Sequence, residues 1–284
     1  MGSIKPAGQR HASTASSSAP RPSKAAASPT SSSAKRTPLR ILCFGDSLTS
    51  GFPTGLPYSI QLRLRLAAAF PHHEIHCDVE GVPGDRVVQG RFLERLHQAW
   101  KIADRDKKPY DWTIVLGGTN DLGWGTPLPD LKAALEQCWD FALLKKSKVL
   151  ALTIPETRYS GEKLVGQRAE INTFIKNTRK RGFFHHDLHA SLPYHSLTPQ
   201  NRSELWDPDG LHLRAPGYAE IGSLVADELI RLIRLQEATE TEISSLVTDA
   251  RQRRAVEDLI LEEERGDPKL LSQGYIYVRR ADLD

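Results

Sequence analysis

Five short apolar runs alternate with longer stretches whose apolar residues fall at helical spacing. No other feature constrains this chain's fold as strongly. The runs are LRILCF (39–44), EIHCDVE (74–80), YDWTIVLGG (110–118), KVLALTIP (148–155) and FFHHDLHA (183–190). Between them lie YSIQLRLRLAAAF (58–70), RVVQGRFLERLHQAWKIA (86–103), DLKAALEQCWDFALLKK (130–146) and EKLVGQRAEINTFIKNTRKR (162–181). APGYAEIGSLVADELIRLIRL (215–235) closes the series. Strand–helix repetition of this kind builds a parallel sheet with helices on both faces. IVLGG and VLALTI are apolar almost throughout, as strands covered on both sides must be. The expected fold class is α/β: a three-layer α/β/α domain around a five-stranded, flavodoxin-like parallel sheet.

The flanks differ in character. Residues 1–37 are dominated by Ser, Ala, Pro and basic residues and hold almost no large apolar side chain. Such a segment cannot bury a core, so a disordered basic tail is expected. The composition also fits an organellar targeting leader, although its prolines spoil an amphipathic helix. Residues 236–284 are charged, with scattered apolar positions, and predict a mainly helical extension. GYIYVRR (274–280) there is a candidate short strand or partner-binding tail. The first 40 residues carry seven basic residues and no acidic one, while the whole chain is +3, so the remainder is net negative. A net-negative body argues against a nucleic-acid groove. No stretch has the length of apolar sequence a membrane span needs. An apolar signal-peptide core is missing and the three cysteines lack CxxC spacing, so a cytoplasmic location is expected. The oligomeric state is left open.

In open parallel sheets, ligands bind beyond the carboxyl ends of the strands. The first run delivers Gly45-Asp46-Ser47 there, and the second delivers Gly81-Val82-Pro83-Gly84-Asp85. The third delivers Gly117-Gly118-Thr119-Asn120-Asp121. The loop after the fifth carries Asp207-Pro208-Asp209-Gly210-Leu211-His212. One serine, two glycine-rich turns, an asparagine and an Asp-x-x-His thus converge on one rim. A serine nucleophile needs a base, usually histidine, and the imidazole needs a carboxylate partner. The oxyanion needs preorganised donors. Gly45 is expected to turn the chain off the strand, Asp46 to brace that turn, and Asp85 and Asp121 to orient neighbouring loops. Asp207 competes with Asp209 as the carboxylate; Asp209 has the x-x-His spacing. Phe52 and Trp124 are candidate walls of an acyl pocket.

GDSLTSG, GVPGD, GGTND and DPDGLH, in this order, resemble the sequence blocks of the GDSL, or SGNH, serine esterase and lipase family. The resemblance covers about residues 39–235, so residues 38–235 are expected to form the catalytic domain. It implies Ser47 as nucleophile, His212 as base and Asp209 as orienting acid. It further implies Ser47 N–H, Gly84 N–H and the Asn120 amide as oxyanion donors. The implied activity is hydrolysis of small-molecule carboxylic esters without metal or other cofactor. The short loops point to short acyl chains, acetyl esters among them. Acyl transfer through the same acyl-enzyme is the alternative, and a non-catalytic binding protein on the same fold is a more distant one.

Other readings fit less well. HHDLH (185–189) offers metal-ligating residue types, but on a strand His185 and His186 face opposite sides. The nucleophile elbow of the larger α/β-hydrolase fold needs GxSxG on a strand deep in the sheet. Nucleotide-binding glycine loops are missing.

Overall fold

The computed structural model describes residues 36–246, with side chains described to residue 239; residues 1–35 of the expected N-terminal tail and GYIYVRR lie outside the described residues, and Thr37, assigned to the tail, begins the first strand. Five strands form one sheet: β1 (Thr37–Gly45), β2 (His73–Gly81), β3 (Trp112–Leu116), β4 (Lys148–Leu152) and β5 (Phe183–His186). Their spatial order is β2-β1-β3-β4-β5 and all neighbours are parallel. This is the expected flavodoxin-like order.

Alternation along β1 divides the core. Leu39, Ile41 and Cys43 face one side, where α2 (Ser59–Ala69) and α9 (Ala215–Leu246) cover them. Leu42 and Phe44 face the other, against α3 (Phe92–Arg105), α5 (Leu128–Leu144) and α6 (Glu162–Asn177). Period-2 strands and amphipathic helices thus meet on both faces, as the apolar pattern requires. Short helices fill the carboxyl-end loops: α1 (Ser47–Ser50), α4 (Thr119–Gly123), α7 (Leu188–Ser191) and α8 (Pro199–Leu205).

Three elements differ from the sequence pattern. The helix expected from Arg86 begins at Phe92. Residues 86–91 instead give backbone N–H groups to two carboxylates: Arg86 and Arg91 donate to Asp85, and Val87 and Val88 donate to Asp121. The fifth strand, expected to reach Ala190, stops at His186 because Asp187 caps α7, accepting from Ala190 N. The closing helix runs past residue 235 to Leu246 without a break. Residues 236–246 contain no Gly or Pro to end it, so the helical extension starts as a continuation of α9. Among the described residues, no helix is long and apolar enough to cross a membrane.

The register aligns the strand ends. Gly45 lies level with Gly81 on one side and Leu116 on the other. Chain order reverses between β1 and β3, so the loops after them diverge and leave a crevice there. Ser47 and Asn120 begin just beyond that edge.

Candidate active site

The end of β1 is tightly enclosed. Gly45 does not adopt a left-handed conformation; its need is space. A Cβ at this position would lie 2.3 Å from both Leu116 O and Thr49 Oγ1. The expected sharp turn is therefore a close crossing of backbones. Asp46 braces it as expected, its Oδ1 accepting from Leu48 N at 3.0 Å at the N-cap of α1. Asp46 is 1% exposed. Burial is the main cause that raises its pKa, to about 7, against the lowering effect of the Leu48 amide.

Ser47 opens α1 and is 5% exposed. His212 Nε2 lies 2.9 Å from Ser47 Oγ, and His212 Nδ1 lies 2.6 Å from Asp209 Oδ2. The DPDGLH loop is built for this contact. Gly210 N donates to Asp207 O, closing a turn, and Asp207 N donates to His212 O. Trp206 and Leu213 bridge antiparallel below it. Asp209 Oδ1 accepts from the amides of Leu211 and His212 at 2.8 and 2.9 Å, leaving Oδ2 for the imidazole. Burial works to raise the Asp209 pKa, but the His212 ring and those two amides outweigh it and hold the carboxyl below its usual range. Asp207 meets no imidazole; its Oδ1 accepts from Asp209 N. Phe52 packs edge-on against the His212 ring, 4.9 Å between centroids. The Phe52 carbonyl in turn accepts from buried Tyr218 of α9.

The Gly84 turn and Asn120 are joined through Asp85. Val82-Pro83-Gly84-Asp85 is a turn closed by Asp85 N to Val82 O, with Gly84 at φ +77°. A Cβ on Gly84 would touch nothing, so the requirement here is conformational. Asn120 Nδ2 donates to Asp85 O at 2.8 Å. An amide nitrogen carries two hydrogens, so one remains unspent and its direction is fixed.

The loops holding Gly84 and Asn120 are locked from behind. Asp121 accepts from Val87 and Val88. Burial raises the Asp121 pKa, with those amides opposing. Arg95 ties three segments together: Nε to Asp85 Oδ2 at 2.8 Å, Nη1 to Glu80 O at 3.0 Å and Nη2 to Gly45 O at 2.8 Å. Its guanidinium lies over the Phe44 ring, 4.8 Å from the centroid. The orienting roles expected for Asp85 and Asp121 are visible in these bonds. Arg95 is missing from the sequence reading, although a signal existed. It lies among the apolar-face positions Phe92, Leu96, Ala99 and Trp100 of α3, where a charge is out of place.

On the other side of Asn120 a cavity of about 220 Å³ opens between α4, the loop after β4, and α6. Leu122, Trp124, Ile154, Leu164 and Arg168 are among its walls. Trp124 is a wall as expected, whereas Phe52 stands by His212 instead. Of the HHDLH segment, Asp187 pairs with Lys176 at 2.8 Å and accepts from Thr153.

Residues 43–220 match the family described as GDSL-like Lipase/Acylhydrolase. The chain belongs to that family. It is a carboxylic ester hydrolase, and its substrates are small-molecule esters. Solved structures agree on the fold. The lipase/acylhydrolase from Enterococcus faecalis superposes with a TM-score of 0.54 at 21% identity, covering 68% of this chain and 95% of that one. Axe2, an acetylxylan esterase from Geobacillus stearothermophilus, gives 0.52 at 17% identity, covering 68% and 95%. The psychrotrophic esterase EstA from Pseudoalteromonas sp. gives 0.52 at 13%, covering 69% and 98%. No curated protein sequence matches the esterase.

Proposed function

We propose that the enzyme hydrolyses short-chain carboxylic esters through an acyl-enzyme on Ser47. His212 is the base, Asp209 the orienting carboxylate, and Ser47 N–H, Gly84 N–H and Asn120 Nδ2 the oxyanion donors. The observation that carries this reading is the continuous contact from Ser47 Oγ to His212 Nε2 at 2.9 Å and from His212 Nδ1 to Asp209 Oδ2 at 2.6 Å.

In the first half-reaction Ser47 Oγ attacks the ester carbon while its proton passes to His212 Nε2. Asp209 stabilises the imidazolium through Nδ1–H. The carbonyl electrons move to oxygen, where the three donors receive the charge. Collapse breaks the bond to the alcohol oxygen, which leaves with the proton from Nε2. In the second half-reaction water gives a proton to Nε2 and attacks the acyl carbon. Collapse then breaks the bond to Ser47 Oγ, which recovers the proton, and releases the acid.

The cavity beside Asn120 supports the short-chain preference. At about 220 Å³ it is itself below the roughly 300–1,000 Å³ of sites for drug-sized ligands, and its walls are mainly apolar, although it shares Leu122, Gly123, Trp124 and Leu164 with a more open groove of about 510 Å³. The test is hydrolysis of p-nitrophenyl acetate and butyrate. Ser47→Ala is expected to lower kcat/KM by about three orders of magnitude or more while remaining folded. Near-normal turnover by that variant would refute the mechanism.

A further inference from the structure

Arg168 lies on α6 facing the cavity beside Asn120, and it is 4% exposed. Its guanidinium has five N–H donors. Only Nη2 has a partner, Thr157 Oγ1 at 3.0 Å, and Nε is buried with none. No described carboxylate forms an ion pair with it. The neighbouring Glu156 is engaged elsewhere, its Oε2 accepting from the amides of Tyr194 and His195. A buried cation normally has a counter-charge, because desolvation otherwise outweighs what it gains.

Holding the β4 end does not account for this arginine. One turn further along α6, Asn172 does that work with two bonds to Ile154, to its N–H at 2.8 Å and its carbonyl at 2.9 Å. Arg168 and Asn172 share a helix face. One bonds backbone through both its oxygen and its nitrogen, and the other borders an empty space with no described carboxylate in ion-pair contact, Glu156 acting on it only from a distance.

We propose that this cavity is a subsite for a carboxylate at the far end of the acyl chain, so that the preferred substrates are half-esters of short dicarboxylic acids. The inference rests on the esterase mechanism proposed above. A carboxylate matches the fork of a guanidinium and carries the single charge that one cation neutralises; a phosphate dianion would exceed it. The apolar walls Leu122, Ile154 and Leu164 suit the few methylenes between the two ends. The acyl side is favoured over the alcohol side because the leaving oxygen must meet His212, whereas the cavity borders the oxyanion donor Asn120.

The test compares ethyl esters by pH-stat at neutral pH: monoethyl succinate against ethyl butyrate, and monoethyl glutarate against ethyl valerate. The wild-type enzyme is expected to favour the half-ester in kcat/KM by about tenfold or more. Arg168→Gln and Arg168→Met are expected to abolish or reverse that ratio, read within each folded variant. A residue that only shaped the loop would lower both esters together and leave the ratio unchanged. A wild-type preference for the uncharged esters, with ethyl acetate still hydrolysed, overturns the subsite and leaves the mechanism standing. A half-ester preference that survives both substitutions also overturns it, as does a preference seen only when the carboxylate is on the alcohol side. Loss of all ester turnover in the wild type would instead defeat the mechanism.

Discussion

On the β2 side of Ser47, the carboxylates of Asp85 and Asp121 accept from four backbone amides and from Arg95, and Arg95 also reaches two carbonyls. On the β4 side, around Arg168, a buried guanidinium has one partner and the remaining walls are mainly apolar. The two regions meet at α4, where Asp121 belongs to the first and Asn120 lines the second. On the mechanism proposed above, the first presents donors to a charge that exists only in the transition state, so its geometry has to be fixed in advance. On the subsite proposed above, the second receives a ligand, so part of its polar capacity stays unspent.

If that contrast is right, the largest effect comes from unlocking the saturated side. Arg95→Met leaves Asp85 without its buried partner and is expected to cost about 3–5 kcal/mol in urea unfolding. Arg95→Lys should recover part of it. A loss below about 1 kcal/mol would mean the lock is incidental.

Next comes the donor it supports. Asn120→Ala is expected to lower kcat by about 10²–10³-fold with KM little changed, since the mechanism proposed above has the amide act on the developing oxyanion. Equal changes in both parameters would assign Asn120 to ground-state binding instead.

Asp46 is one exception on the saturated side, its Oδ2 buried without a partner. Its folded pKa, raised to about 7, exceeds the ordinary value of 3.8. Between those values the folded state holds a proton that the unfolded chain releases. Its contribution to stability is therefore complete below about pH 4 and is lost as pH rises through about 7. Asp46→Asn keeps an acceptor for Leu48 N and should remove this term. The variant is expected to gain on the wild type by up to about 4 kcal/mol between pH 4 and pH 8, read from urea midpoints. A pH-independent difference would contradict the assignment.

The smallest effect is on the open side. Trp124 is 76% exposed at the cavity mouth. Trp124→Ala should shift preference toward longer acyl chains by less than about tenfold, measured as the ratio of octanoate to butyrate ester turnover. A large loss on every ester would make that side part of the fixed machinery.

Much of the site was legible because its residues sit at strand ends. Ser47, Gly84 and Asn120 each follow an apolar run by a few residues, and a parallel sheet brings such ends to one edge. Asp209 and His212 were legible as a local pair, whose contact needs only a tight turn. Arg95 and Arg168 are not legible in this way, because no local pattern tells which acceptors or cavity a guanidinium meets. Arg95 joins Gly45, fifty residues earlier, and Arg168 borders Asn120 and Leu122. Residues 86–91 looked helical by periodicity, yet two carboxylates took the amides a helix would have used.

The sequence by itself determined the layer order, the parallel sheet and the set of groups at its carboxyl edge. Apolar periodicity is a local property, and the handedness of strand–helix units leaves few ways to assemble it. Only the tertiary structure decided which polar groups are spent and which are left over. Whether Arg95 finds three acceptors, or Arg168 only one, depends on which backbone atoms packing brings within about 3 Å. No local pattern of residues encodes that.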